Sequence, residues 1–178
     1  LVTGHKGYIG TCLVPLLLQE DFEVTGLDTD LYRECTFDGG IASIPEIIKD
    51  VRDVTAKDVE GYDAIIHLAG LSNDPLGDYD PSLTEDINCH GSIRLARIAH
   101  EVGVRRFVFA SSCSNYGAAG DQFLTEDAKL NPVTPYGESK VNVERAVTQL
   151  ADNNFSPTFL RASTAYGLSP RLRFDLVL

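Results

Sequence analysis

Three glycines at every third position near the start of the chain constrain its fold more than any other feature. In LVTGHKGYIG, residues Gly4, Gly7 and Gly10 stand where a short apolar segment passes into an apolar helical pattern. A helix amino terminus presents unpaired N–H groups and a partial positive charge, so a phosphate can bind there if no side chain blocks it. The spacing predicts a strand, a phosphate-binding turn and a helix. In that prediction Gly4 allows the tight turn, Gly7 the close approach of the ligand and Gly10 the close packing of the helix. A glycine-rich turn without a ligand is the alternative.

The rest of the chain alternates between strand and helix patterns. A strand is predicted at 22–28, others lie within the segments 44–51, 62–70, 105–112 and 155–162, and helices are predicted at 7–19, 87–102 and 136–151. Because the two patterns alternate, we expect an α/β fold with a Rossmann-like, doubly wound parallel sheet. In such a sheet the ligand site lies beyond the carboxyl ends of the strands.

Composition excludes several classes of protein. The chain has 178 residues, a net charge of −11 and no run of Lys or Arg, which argues against a nucleic-acid partner. The longest apolar stretch, residues 13–18, is too short to span a bilayer. The four cysteines form no CxxC pair, so we expect no metal site and a reducing, cytoplasmic location.

Both ends of the sequence read as incomplete elements. Residues 1–3 look like the tail of a strand, and residues 173–178 start an apolar helical pattern and stop. We therefore expect a cofactor-binding domain over 1–168 and, over 169–178, only the start of a truncated substrate-binding region.

Asp28 ends the second predicted strand, roughly 20 residues after the glycine-rich turn. A carboxylate at that position can accept hydrogen bonds from the adenosine ribose of a dinucleotide, and it repels a 2'-phosphate. This favours NAD over NADP. Arg33 follows a few residues later, either weakening that preference or lying in solvent.

Further motifs then follow in a recognisable order over nearly the whole chain. They are KDVRD at 49–53, HLAG at 67–70, INCHGS at 87–92, SSCSNYG at 111–117, PYGESK at 135–140 and LRASTAYG at 160–167. Together with the TGxxGxxG turn, this series resembles the extended short-chain dehydrogenase/reductase family, which contains the nucleotide-sugar epimerases and dehydratases.

The resemblance implies an NAD site and assigns residues to it. Asp50 would contact the adenine amino group, Val51 would pack on the adenine ring, and the HLAG motif would form a backbone ledge along the cofactor. The implied cofactor-binding residues are Gly4, Gly7, Tyr8, Ile9, Gly10, Asp28, Asp50, Val51, Leu68, Ala69, Gly70, Asn88, Tyr136 and Lys140.

Catalysis would depend on Ser112, Tyr136 and Lys140. Tyr136 and Lys140 are four residues apart, so they share one face of a helix, and a nearby ammonium favours the phenolate of a tyrosine. The resemblance makes Tyr136 the general base, lets Lys140 also hold the cofactor ribose, and gives the Ser112 hydroxyl a hydrogen bond to the reacting sugar oxygen. Hydride would leave carbon 4 of a nucleotide sugar.

We therefore expect an NAD-dependent nucleotide-sugar epimerase. A dehydratase or reductase of the same family is one alternative, and a non-catalytic NAD-binding scaffold or sensor is another. The related 4,6-dehydratases carry Asp-Glu directly after the catalytic Ser or Thr, whereas this chain has Cys113 and Ser114, which counts against elimination. Three intact catalytic residues argue against the scaffold.

Several side chains depart from the family pattern or leave alternatives open. Cys113 is either a general acid or base or, as we expect, a small buried thiol. Thr164 stands where the family often has an Asn that touches the nucleotide diphosphate.

The last predictions concern four charged loop residues and the oligomeric state. His5 and Lys6 either line the cofactor or, as we expect, are exposed loop residues. Arg171 and Arg173 either reach a diphosphate or are exposed at a helix start. Family members often dimerise through two helices, which here would be 83–102 and 134–152, so the resemblance implies a homodimer.

Overall fold

The computed structural model describes residues 1–37, 40–72, 79–118, 123–171 and 173. The strands are β1 Val2–Thr3, β2 Gly26–Asp28, β3 Glu46–Ile48, β4 Ala64–His67, β5 Arg106–Ser112 and β6 Ser156–Ala162. The α-helices are α1 Gly10–Gln19, α2 Pro81–Thr84, α3 Ser92–Glu101 and α4 Pro135–Thr148, and a π-helical segment, Glu85–Gly91, joins α2 to α3.

All the strand pairs are parallel, and the strand order is β3-β2-β1-β4-β5-β6. Val2 of β1 lies opposite Gly26 of β2 on one side and Ile66 of β4 on the other. Chain order therefore reverses between β1 and β4, which is the point where doubly wound sheets bind dinucleotides. The predicted Rossmann-like fold class is confirmed.

Helices cover both faces of this sheet. The smaller apolar cluster, with Val2, Val14 and Val24, joins β1 to α1. The larger cluster includes Phe107 of β5 and Leu95 of α3, together with residues of α4. Two separate apolar layers are what a sheet buried on both faces requires.

Most strands are shorter than predicted. The strand expected within 44–51 is β3, and it ends before Asp50, which caps a short 3-10 turn over Val51–Asp53. The predicted strand at 62–70 ends at His67, after which the backbone turns to form the expected ledge. In the segment 62–70, apolar residues thus continue beyond the residues that pair.

The second helical region starts earlier than predicted and is not uniformly α-helical. It begins at Pro81, where the Asp80 carboxylate accepts a hydrogen bond from the Leu83 N–H. The π-helical segment Glu85–Gly91 follows, with Asn88 and Cys89 buried in it. Such segments are uncommon and are frequent at functional sites.

Little of the region predicted at 169–178 is described, since residues 172 and 174–178 lie outside the described residues. Within the described part of the chain, no helix is long and apolar enough to cross a membrane.

Candidate active site

Two of the three glycines in the first turn are required by its geometry. Gly4 has φ +71°, and a Cβ added there would lie 2.7 Å from the Ala69 nitrogen. A Cβ on Gly10 would lie 2.6 Å from the Cα of His5, so the start of α1 packs directly on the turn. A side chain at either position would force the turn away from the ledge or from the helix.

The turn also contains backbone N–H groups to which no described residue offers an acceptor. Within the described residues, the N–H groups of Tyr8 and Ile9 hydrogen-bond to no acceptor, and both precede the first residue of α1. A Cβ on Gly7 would approach only the Gly4 carbonyl oxygen, at 3.2 Å, so the rest of its surroundings are open. Free N–H groups at a helix start beside open space fit the pyrophosphate of a dinucleotide.

Asp28 lies at the carboxyl end of β2 and faces this turn. Its Oδ2 accepts a hydrogen bond from the Lys6 N–H at 3.0 Å, and its Oδ1 accepts one from the Asp30 N–H at 2.9 Å. An ionised carboxylate has about four lone-pair sites. The partly exposed Asp28 therefore retains acceptor capacity for the ribose hydroxyls.

The ledge after β4 is held from two sides. Leu68 and Ala69 donate their N–H groups to the carbonyl and hydroxyl of Thr3, at 3.1 and 3.3 Å. On the other side, the Asn88 amide donates to the Leu71 carbonyl and accepts from the Leu71 N–H, both at 2.7 Å. Asn88 therefore positions the backbone around Gly70, and its contact with the cofactor stays a prediction.

Asp50 and Val51, the two residues predicted to contact adenine, already contact other residues of the chain. The Arg52 guanidinium donates to both oxygens of Asp50, with an NH2–Oδ2 distance of 2.8 Å, and hydrogen bonds from Arg52 lower the pKa of Asp50. Val51 is 5% exposed and belongs to the larger core cluster. Contact of Asp50 and Val51 with adenine stays a prediction, and the pairing of Asp50 with Arg52 was not predicted.

The three predicted catalytic residues lie at the carboxyl end of β5 and in the first turns of α4. Thr134 caps α4 by accepting a hydrogen bond from the Gly137 N–H at 3.1 Å, and this fixes the start of the helix before Tyr136. Ser112 ends β5, and its hydroxyl accepts a hydrogen bond from the Ser114 N–H at 3.1 Å.

Lys140 connects these two elements. Its Nζ donates to the Ala110 carbonyl at 2.7 Å, two residues before Ser112, and lies 5.3 Å from the centroid of the Tyr136 ring. The residue is 5% exposed, and burial lowers the pKa of its ammonium to about 8. A desolvated positive charge beside a tyrosine ring favours the phenolate, which is what a tyrosine base needs.

His67 supports the same region through two buried hydrogen bonds. Its Nδ1 lies 2.6 Å from the Thr3 hydroxyl oxygen and its Nε2 lies 2.8 Å from the Ser92 hydroxyl oxygen. Burial, followed by the positive charge of Lys140, lowers the pKa of His67 to about 3. The imidazole is therefore neutral and joins β1 and β4 to α3.

A partly buried ion pair that the sequence did not indicate joins β6 to α4. The Arg161 NH2 donates to Glu144 Oε2 at 2.7 Å, and Arg161 NH1 donates to the Tyr116 hydroxyl at 2.8 Å. Asn115 donates to Glu144 at 2.8 Å, and the Ser111 hydroxyl also donates to this carboxylate. This network fixes the backbone on both sides of Ser112. Its only signal in the sequence was the Arg of the LRASTAYG motif.

The segment after β6 returns to the glycine-rich turn. The Tyr8 hydroxyl donates to the Gly167 carbonyl at 2.6 Å, and Arg171 Nε donates to the Lys6 carbonyl at 2.8 Å. Arg171 is 4% exposed, so the alternative of an exposed residue at a helix start is wrong, and its contact with a diphosphate stays a prediction. Arg173 donates to the Ser72 hydroxyl at 2.7 Å.

Three expectations about exposure were wrong. Cys113 is exposed, because it lies on the outside of the 3-10 turn that Ser112 caps. His5 is 2% exposed, since its ring fills the space above Gly26, where a Cβ would meet the imidazole. The Lys6 side chain is 14% exposed because Asp30 and Glu46 hold its ammonium.

The comparison with known proteins agrees with this geometry. The profile of the NAD dependent epimerase/dehydratase family matches residues 1–175. The chain belongs to this family. The family is NAD-dependent and the free donors of the turn fit the pyrophosphate, so NAD is the cofactor.

Relatives of this family member include epimerases. UDP-glucose 4-epimerase of Bacillus subtilis (strain 168) is 30% identical over 197 residues, which cover 96% of this chain and 53% of the relative. The chain thus spans about half the length of this curated relative.

Similar solved structures include both an NAD complex and a dehydratase. MoeE5 in complex with UDP-glucuronic acid and NAD is 29% identical, with a TM-score of 0.84 over 98% of this chain and 57% of that one. TunA, an NAD-dependent NDP-hexosamine 5,6-dehydratase involved in tunicamycin biosynthesis, is 28% identical, with a TM-score of 0.80 over 90% of this chain and 53% of that one.

Proposed function

We propose that this chain is the NAD-binding part of an epimerase that inverts carbon 4 of a nucleotide sugar. The observation that carries the proposal is the buried Lys140, whose Nζ is held by the Ala110 carbonyl and lies beside the Tyr136 ring. The similarity to a UDP-glucose 4-epimerase supports the choice of reaction.

In this proposal the residues of the chain manage the proton while the cofactor takes the hydride. NAD, when bound, supplies a hydride acceptor and later returns the same hydride. Tyr136 removes the proton of the 4-hydroxyl as the C4–H bond breaks, and it gives the proton back when hydride returns to the opposite face of the sugar. Ser112 donates a hydrogen bond to the sugar oxygen, and the Lys140 ammonium stabilises the phenolate. The cycle has no net oxidation.

A dehydratase is the second candidate, because the structural neighbour TunA is one. Elimination of water needs an acid and a base beyond the tyrosine. The two positions after Ser112 hold Cys113 and Ser114, neither of which is a carboxylate. Cys113 is exposed, and the Ser114 hydroxyl accepts a hydrogen bond from Ser112 at 3.1 Å. These contacts favour the epimerase.

The remaining features of the proposal concern the whole protein. Residues 1–168 would be the cofactor domain, and residues from 169 onward would lead into the region that binds the sugar. Segments 83–102 and 134–152 would pair with the same segments of a second copy to form a homodimer, and the protein would act in the cytoplasm. Gel filtration with light scattering of the full-length protein measures the dimer.

Incubation of the full-length protein with UDP-glucose or UDP-galactose tests the reaction. Proton NMR should show interconversion of the two sugars, and substrate deuterated at carbon 4 should keep its label, since the hydride returns to the same carbon. Tyr136→Phe serves as the inactive control. Loss of one water by mass spectrometry would instead establish a dehydratase. Tight NAD binding without conversion of any nucleotide sugar in a screening panel would instead support a non-catalytic NAD-binding scaffold.

A further inference from the structure

The carboxylate of Asp30 lies at the centre of a group of cations beside the adenosine end of the cofactor site. Its Oδ2 accepts hydrogen bonds from Lys6 Nζ at 2.9 Å and from Arg33 Nε at 3.0 Å. Arg171 NH2 lies 3.7 Å from its Oδ1. The Asp30 side chain is 6% exposed, so three cations are arranged around one desolvated carboxylate.

Backbone contacts place this group next to Asp28. The N–H groups of Lys6 and Asp30 both donate to the Asp28 carboxylate, which is the predicted acceptor for the ribose hydroxyls. A cleft of about 390 Å³ adjoins the cations, with Lys6, Arg33 and Arg171 in its wall. A phosphate on the ribose 2'-oxygen would therefore lie within reach of these side chains if they were free.

We propose that Asp30 is a second determinant of the preference for NAD, because it holds Lys6 and Arg33 in ion pairs that keep them from binding a 2'-phosphate. Asp28 acts on the cofactor directly, as an acceptor for hydroxyls and a repelling charge. Asp30 acts by occupying the cations. Glu46 assists on the far side of Lys6, where its carboxylate lies 2.7 Å from the ammonium.

The charges of the group agree with this role. Burial raises the pKa of Asp30, but hydrogen bonds from Lys6 and Arg33 outweigh it and lower the pKa overall. Burial lowers the pKa of Lys6, and hydrogen bonds to Glu46 and Asp30 raise it further than burial lowers it. Asp30 is therefore an ionised carboxylate and Lys6 an ammonium at neutral pH, so the hydrogen bond between them joins opposite charges.

Asp30→Asn tests the inference with little change to the backbone. Asp30 has φ +55°, and Asn adopts this left-handed conformation as readily as Asp does. The matched control is Glu34→Gln, which removes one negative charge from an exposed position in the same loop. Titration of the full-length protein with NAD and with NADP, together with thermal melting, gives the readouts without any sugar present.

We expect Asp30→Asn to tighten NADP binding relative to NAD by about tenfold or more, since one charge-assisted hydrogen bond to the phosphate is worth roughly that factor. The gain should shrink as salt is added, and Lys6→Met in the Asp30→Asn background should reverse much of it. Glu34→Gln should leave the ratio of the two dissociation constants unchanged.

A change in this ratio of less than about threefold, relative to Glu34→Gln, would overturn the inference. If Asp30→Asn fails to fold, Glu46→Gln provides a second test, because it removes the other carboxylate that holds Lys6. We expect Glu46→Gln to tighten NADP binding relative to NAD by a smaller factor. No tightening in Glu46→Gln would also overturn the inference. The inference concerns NAD binding alone. Its failure would leave the proposed epimerase reaction intact, and absence of epimerisation would leave the inference intact.

Discussion

Replacing Lys140 by Met should stabilise the cofactor-free protein at neutral pH while it abolishes turnover. Burial lowers the pKa of Lys140 from 10.5 to about 8. Since one pKa unit corresponds to about 1.4 kcal/mol, the folded protein keeps this charge at a cost of roughly 3 kcal/mol. Methionine has a similar length, but it loses the charge-assisted hydrogen bond to the Ala110 carbonyl, worth about 1.5–3 kcal/mol. The net gain is therefore about 0–1.5 kcal/mol, or up to about 3–6 °C in Tm for a domain of this size.

The pH dependence of the difference identifies its cause. Below about pH 8 the lysine is protonated in both the folded and the unfolded states, so the full cost is present. Between about pH 8 and 10.5 the folded protein releases this proton while the unfolded chain still holds it, so the stability of the unmodified protein rises with pH. The advantage of Lys140→Met should therefore shrink across that window.

Urea unfolding of both proteins at pH 7 and pH 10, after removal of NAD, measures the two differences. Lys129→Met is the control, because Lys129 is exposed and its replacement should change the free energy of unfolding by less than about 0.5 kcal/mol. If Lys140→Met is less stable than the unmodified protein at pH 7, and the difference does not change with pH, the assignment of Lys140 as a buried charge is wrong.

Three further predictions follow from the site. Tyr136→Phe should lower turnover by about 10²–10⁴ in rate assays, with little change in the NAD affinity measured by titration. A loss of NAD affinity as large as the loss of turnover would contradict the role of Tyr136 as base. Gly10→Ala should cost about 1–3 kcal/mol of stability, because the added Cβ would lie 2.6 Å from the Cα of His5. Gly7→Ala should fold normally, but titrations should show that it binds NAD at least about tenfold more weakly. Glu144→Gln should cost about 1–3 kcal/mol in urea unfolding, because the partly buried Arg161 loses its charged partner and Ser111 and Asn115 lose a charged acceptor. Glu138→Gln, on the exposed side of the same helix, is the control and should change the free energy of unfolding by less than about 0.5 kcal/mol.

Features that depend on short sequence spacings were predictable. The glycine-rich turn needs only residues within ten positions of one another, and the TGxxGxxG spacing was enough to predict a strand, a turn and a helix. The shared helix face of Tyr136 and Lys140 follows from their separation of four residues. Alternation of strand and helix patterns led to the correct fold class because it implies parallel crossover units.

Exact element boundaries were not predictable from apolar runs. The apolar residues Leu68 and Ala69 follow β4 without pairing in it, and only the fold shows that the strand ends at His67. After β3, the hydrogen bond from the Arg52 N–H to Asp50 shows where the 3-10 turn begins. The π-helical segment before α3 also left no sign in the apolar pattern.

The partners of the charged residues were decided by the tertiary structure. When only its neighbours in sequence are considered, a charged residue in a loop is expected to be exposed. This is why Lys6 was expected to be exposed, and why exposure was one alternative for Arg171. These two residues are 165 positions apart, yet the Arg171 guanidinium donates to the Lys6 carbonyl. Glu144 and Arg161, on α4 and β6, likewise form their ion pair only after the two elements pack together. Sequence spacing determines which side chains share one element, but a buried charge needs a partner from another element, and only the folded arrangement of those elements determines which one it meets.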